Sequence, residues 1–181
     1  HFFPHISSIV AVSVVWQFLY SKNGPLNQIL HSIGLQNVPA WLSDKDWALL
    51  AVMIMIIWKG IGYYMIIYLA GLKGIDNSLY EAATVDGANS FQRFRFITIP
   101  QLKPVTFYIT IMCIINSFQV FTPIFIMTKG GPGRATSVLV LQIYKEAFQN
   151  YKFGYASAEA MVLFACILVV TLIQFKRQKQ D

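Results

Sequence analysis

A helix needs about 20 mostly apolar residues to cross the hydrocarbon core of a bilayer, and this sequence offers four such stretches, 4–20, 47–72, 105–127 and 154–175. Polar, glycine-rich or charged segments bound them, such as Ser21-Lys22-Asn23-Gly24-Pro25 after the first and Lys176-Arg177-Gln178-Lys179 after the last. Lys59 tests the second stretch, because a central lysine costs about 2.5–3.5 kcal/mol on the insertion scale. Residues 47–72 contain eleven Leu, Ile and Val, each returning about 0.3–0.6 kcal/mol, so the span survives its lysine. Composition agrees. Only 12% of the 181 residues are charged, against about 25% in an average soluble domain. The fold class expected is all-α, a polytopic transmembrane helical bundle forming one domain over residues 1–181.

The sequence argues against several classes of function. The net charge of +6 raises the question of nucleic acid, but the basic residues stand at the ends of apolar runs, where they anchor helices at membrane interfaces. Cys113 and Cys166 lie inside apolar spans and imply no disulfide framework. His1, His5 and His31 have no partners at metal-ligand spacing, so no metal site is expected. Gly130-Gly131-Pro132-Gly133-Arg134 lacks the spacing and the preceding strand of a phosphate-binding loop and reads as a turn at the outer end of a span. No paired carboxylates or nucleophile elbow lies within the spans, so the chain is not expected to be an enzyme.

The connections carry more information. Residues 25–34 predict a short amphipathic helix, and residues 138–151 predict a helix lying in the interface, with Leu141, Tyr144, Phe148 and Tyr151 at helical spacing. Ser43-Asp44 is a candidate N-cap for the second span. Residues 71–101 form the unusual link, polar enough to leave the bilayer yet rich in helix formers. Asp76-Asn77-Ser78 predicts a cap for one short helix, Gly87 interrupts it, and Asn89-Ser90 predicts a cap for a second that ends before Pro100. Phe91, Phe94 and Phe96 are expected to pack against the membrane domain. Such a structured loop on one membrane face is suited to contact another protein.

Within that loop, Glu81-Ala82-Ala83, three residues, Gly87, nine residues and Ile97-Thr98-Ile99-Pro100 resemble the EAA loop of ABC importer permeases. The sequence departs from the family pattern at Ile99, where Leu is usual, and at Asp76, where Pro is often found. Trp41-Leu42-Ser43-Asp44, Leu69-Ala70-Gly71-Leu72, Asp86-Gly87-Ala88, residues 128–132 and residues 143–148 extend the resemblance to the maltose and multiple-sugar branch, and Gly130-Gly131-Pro132 followed by Thr136 is similar to the first of its two paired permease subunits. The resemblance implies the ABC type I importer permease fold, with the last four spans of a six-span core. His1-Phe2-Phe3-Pro4 enters an apolar segment directly, and an N-terminal part is expected to be missing.

The resemblance also implies a division of labour. Residues 71–101 form a cytoplasmic EAA coupling loop, in which Glu81, Ala82, Ala83, Asp86, Gly87 and Arg93 contact or transmit the motion of an ATP-binding subunit dimer. ATP and Mg are then used by that partner, and no cofactor is bound by this chain. Further partners implied are a second permease subunit, forming a heterodimer, an extracytoplasmic solute-binding protein and the lipid bilayer. The location implied is the bacterial inner membrane, with the EAA loop and the C-terminus cytoplasmic. Asn116, Ser117 and Gln119 form the most polar cluster inside any span, and Cys113, Asn116, Ser117 and Val120 share a helical face. By resemblance Ile61, Tyr63 and Tyr64 join Asn116, Ser117 and Gln119 as the substrate path for a sugar or related solute. Helix–helix bonding by Asn116 and Ser117 is the alternative. At the level of the whole chain, the alternatives are a channel or a secondary transporter that needs no ATPase.

Overall fold

The computed structural model describes residues 3–35 and 37–178, and among these every regular element is helical. Two short N-terminal helices, α1 (Phe3–Ile6) and α2 (Ile9–Leu19), are followed by α3 (Pro25–Ser32) and the long α4 (Lys45–Lys73). The connecting loop holds α5 (Asn77–Val85) and α6 (Ser90–Arg93), then a π-helical turn at Phe94–Thr98 and α7 (Ile99–Gln101). The C-terminal half comprises α8 (Lys103–Phe118), α9 (Thr122–Met127), α10 (Leu139–Tyr144), a second π-helical turn at Lys145–Gln149, and α11 (Phe153–Gln178). Among the described residues three stretches are long and apolar enough to cross a membrane: Lys45–Lys73, Lys103–Met127 and Phe153–Lys176.

The first predicted span differs from expectation. Residues 4–20 are not one helix but α1 and α2, separated at Ser7-Ser8, where Ser8 turns extended (φ −54°, ψ 129°) and its carbonyl starts α2 by accepting from Val12. The 11 residues of α2 rise about 16 Å, roughly half of a bilayer core. The third span is also interrupted. Pro123 has no N–H to give the carbonyl of Gln119, and α8 stops there, leaving Gln119 to Phe121 outside regular helix before α9 begins.

Burial follows helical periodicity. Ala48, Ala51, Val52 and Met55 lie at i, i+3, i+4 and i+7 on α4 and are at most 1% exposed; their small leading members let neighbouring helices approach closely. Ala51, Val52 and Met55 join Val12 and Tyr20 at α2, Ile124 and Met127 of α9 and Leu141 of α10 in one core, and α2 packs chiefly against α9. Aromatic rings cluster here: Trp16 lies tilted against Tyr20 and Trp58, Tyr20 lies tilted against Trp41, and Trp41 meets Trp47 edge-on at 5.3 Å. Trp41 donates to Asn27 (2.7 Å) and Tyr20 to the carbonyl of Ala51 (3.1 Å), so each ring buries its face and satisfies its polar tip. This suits a membrane–water interface. The outer faces of α4 and α11 keep large apolar side chains exposed, as at Ile57 and Phe164, where lipid or another subunit supplies the apolar surroundings.

The helices α4 and α8 meet at Gly71. A Cβ there would lie 2.7 Å from Cγ2 of Val105 and 3.1 Å from Cδ2 of Leu102, and Val105 is branched and stiff at χ1. Gly71→Leu is therefore expected to force the pair apart and destabilise the fold by about 1–3 kcal/mol. A thermal-shift comparison of purified wild type and variant checks this; an unchanged midpoint would show that the contact yields freely.

Candidate functional site

The two helix interruptions frame one cavity. It measures about 540 Å³ and is lined by His5 and Ile9 at the first break, by Ile56 to Ile61 and Tyr64 of α4 (Gly60 included, Trp58 not), and by Cys113, Asn116, Ser117 and the second break from Gln119 to Pro123. Non-helical backbone within a membrane is tolerated where it lines a cavity or is buried in protein, and both breaks meet that condition. The Tyr64 hydroxyl lies against the side chains of Cys113 and Asn116. Ser117 donates to the carbonyl of Cys113 at 2.7 Å, which occupies its only proton and leaves its lone pairs facing the cavity. Asn116 keeps an amide that both donates and accepts. The wall is therefore mostly apolar with a few convergent polar groups, the character of a small-ligand site.

Lys59 is the central residue of the 29-residue α4. Its ammonium donates to the carbonyls of Pro4 (2.9 Å), His5 (2.8 Å) and Ser7 (2.9 Å). A lysine ammonium has three donors and no acceptor, and the three carbonyls take up all three donors. The costly cation that the sequence places at mid-span and the helix break at Ser7-Ser8 are thereby joined in one structural unit.

The loop after α4 is equally built. Asp76 caps α5 by accepting from the N–H of Ser78 at 2.9 Å, and that backbone bond holds its carboxyl below the ordinary value. A depressed carboxyl stabilises the fold above its unfolded pKa, and the contribution is lost as pH falls through the lower folded value. The C-terminal end of α5 is a Schellman motif: Ala88 N–H donates to the carbonyl of Ala83 and Gly87 N–H to that of Thr84, with Gly87 at φ +78°. Asn89 and Gln92 then form a reciprocal capping box for α6. Arg93 bridges the two helices, donating to Thr84 (3.0 Å) and Ser90 (3.3 Å). Tyr80 and the buried Thr98 share a 2.8 Å hydrogen bond that ties α5 to the first π-helical turn.

Two expectations about this loop are revised. The second short helix does not end before Pro100. It runs through the π-helical turn and α7 toward α8, because Pro100 stands in the first turn of α7, where no N–H is required, and the widened turn before it accommodates the ring. Phe91, Phe94 and Phe96 do not pack against the chain's own spans either; they are 74%, 54% and 72% exposed. Val85, Glu81 and Ala82 of the same loop are exposed as well.

Residues 2–176 match the family described as the binding-protein-dependent transport system inner membrane component. The chain belongs to this family. It is 39% identical, over 97% of its length and 61% of the relative's, to the probable ABC transporter permease protein YurN of Bacillus subtilis. It is 40% identical, over 96% of its length and 60% of the relative's, to the lactose transport system permease protein LacF of Rhizobium radiobacter. The chain thus spans about three fifths of the length of these relatives. Its fold matches a crystal structure of a bacterial ABC transporter involved in import of the acidic polysaccharide alginate, with a TM-score of 0.87 and 28% identity over 99% of this chain and 63% of that one. A second match is that alginate transporter in complex with an alginate pentasaccharide-bound periplasmic protein, with a TM-score of 0.84 and 30% identity over 96% of this chain and 60% of that one.

Within this inner membrane component the sequence-derived candidates fall into two groups. Ile61, Tyr64, Asn116, Ser117 and Gln119 come together on the cavity wall. Tyr63 stands behind that wall, stacked on His5 at 4.4 Å and edge-on to Tyr64 at 5.4 Å. In the loop, Glu81 and Asp86 are exposed, Ala82 and Ala83 supply carbonyls to the end of α5, Gly87 makes the turn and Arg93 spans it. Sequence reasoning missed Tyr80, Thr84 and Thr98, which lock the loop. It also missed His5 and Phe121 as cavity wall. The available signals were the Ser7-Ser8 pair and Pro123, both known causes of helix interruption.

Proposed function

We propose that this chain is the membrane permease part of an ATP-driven importer that passes a sugar or related solute from an extracytoplasmic binding protein to the cytoplasm. The observation that carries the reading is the cavity between the two helix breaks, where Tyr64, Asn116, Ser117 and Gln119 converge at mid-span. An aromatic ring suits the face of a sugar, and amides and hydroxyls suit its hydroxyl groups. The lactose permease among the relatives and the alginate transporters among the structures support a carbohydrate as substrate. A second permease subunit completes the path as a heterodimer, and an ATP-binding subunit dimer uses ATP and Mg on the cytoplasmic side. The exposed loop residues Glu81, Phe91 and Phe96 are the surface offered to that dimer, with the loop and the C-terminus cytoplasmic.

The test is uptake of labelled di- and oligosaccharides into liposomes containing the full-length permease with its neighbouring subunits. Uptake that requires both ATP and the binding protein is the expected result. Uptake that proceeds without ATP, driven by the solute's own gradient or by an ion gradient, would instead identify a channel or a secondary transporter.

A further inference from the structure

We propose that Lys59 is a positioning residue for translocation, acting as a clamp that holds the broken end of α1 against α4 and thereby fixes one wall of the cavity. This rests on the reading of that cavity as the substrate path. The geometry is specific to a cation with three donors. The carbonyls of Pro4, His5 and Ser7 converge on one Nζ at 2.8–2.9 Å, and among the described residues α1 packs chiefly against α4. The helix end brings a partial negative charge to the ammonium.

The clamp positions a chain of contacts that runs from His5 to Asn116. His5 both supplies a carbonyl to Lys59 and stacks its ring on Tyr63 at 4.4 Å; Tyr63 meets Tyr64 edge-on, and Tyr64 lies against Asn116. The ammonium therefore sits at the root of a chain of contacts ending on the cavity's most polar wall. His5, Lys59, Tyr64 and Asn116 all line that same cavity. Release of the clamp frees α1 and lets the stack beneath Tyr64 shift, so a bound solute loses its fixed geometry. The cytoplasmic loop, built from α5 and α6, is not part of this joint and keeps its own locks.

The experiment compares wild type, Lys59→Met and Lys59→Arg in the full-length permease assembled with its partner subunits in liposomes. Two quantities are measured together: solute uptake and binding-protein-stimulated ATP hydrolysis. Lys59→Met is expected to lower uptake about tenfold while hydrolysis stays within about twofold of wild type, because the interaction lost acts on the path and not on the transmission. Lys59→Arg, which keeps the charge and several donors, is expected to recover at least half of the lost uptake. Hydrogen exchange gives a readout independent of transport: amides of residues 7–12 are expected to exchange faster in Lys59→Met than in wild type. Unchanged exchange at those amides, unchanged uptake, or parallel loss of uptake and hydrolysis would each overturn the clamp. A wild type that exchanges slowly at residues 7–12 yet shows no ATP-dependent uptake would overturn the importer reading and leave the joint standing as structure. If Lys59→Met fails to insert, Lys59→Gln carries the same measurements, and wild-type uptake and exchange in Lys59→Gln would overturn the proposal.

Discussion

Gly87→Arg is expected to abolish most of the binding-protein-stimulated ATP hydrolysis of the importer proposed above, a loss on the order of tenfold or more. The reason is conformational. A Cβ at Gly87 would meet nothing within 4 Å, but the backbone sits at φ +78°, in the left-handed region that costs an ordinary L-residue about 1–2 kcal/mol. A side chain there favours opening the Schellman motif, which releases the bonds from Ala88 to Ala83 and from Gly87 to Thr84. The direction of α6 relative to α5 then ceases to be fixed, and with it the placement of the exposed Glu81, Phe91 and Phe96. Gly87→Asn is the control, since asparagine tolerates the left-handed region, and it is expected to keep most of the stimulation. Glu81→Lys reverses an exposed charge without touching the turn, so it is expected to lower stimulation while leaving thermal stability unchanged. Stimulation at the wild-type level in both Gly87→Arg and Glu81→Lys would remove the loop from the coupling path.

The turn at Gly87 also shows which parts of the structure were legible beforehand. The caps at Asp44, Asp76 and Asn89 form as expected, with Asp44 accepting from Asp46, Asp76 from Ser78 and Asn89 from Gln92. Local signals of this kind depend on a few adjacent residues, so sequence carries them well. The helices over residues 25–34 and 138–151 are present too, as α3 and as α10 with its π-helical turn. The errors have a common origin. Hydropathy counts apolar residues and is blind to backbone continuity, so residues 4–20 read as one span although Ser7-Ser8 divides them; residues 105–127 do lie in a stretch long and apolar enough to span, and only the break at Pro123 within it went unseen. The link between the first break and Lys59 is a contact 52 to 55 residues apart in sequence, which no local pattern encodes. Phe91, Phe94 and Phe96 failed for a different reason. Their apolar character pointed to burial, but the chain itself offers them no surface; in an assembly of several subunits, apolar residues are not assigned to their own chain's core by composition.

Asn116→Leu is expected to lower solute uptake by about tenfold or more while leaving stimulated ATP hydrolysis within about twofold, because a site built around hydrogen bonds loses far more than the bond itself when a polar group is removed. The neighbouring Ser117 supplies the comparison that makes the expectation sharp. Its hydroxyl proton is already given to the carbonyl of Cys113 at 2.7 Å, so toward the cavity it can only accept. Asn116 stands beside the Tyr64 hydroxyl with both donor and acceptor capacity. Ser117→Ala removes one acceptor and is expected to cost only a few-fold; the double variant Tyr64→Phe with Asn116→Leu removes a coupled pair and is expected to lose less than the product of the two single effects. Cys166→Ser, exposed on α11 and away from the cavity wall, serves as the neutral reference. If Asn116 and Ser117 served only to bond neighbouring helices, both variants would lower thermal stability and drag uptake and hydrolysis down together. The order Asn116 before Ser117, seen in uptake alone, is the signature of groups that face a solute.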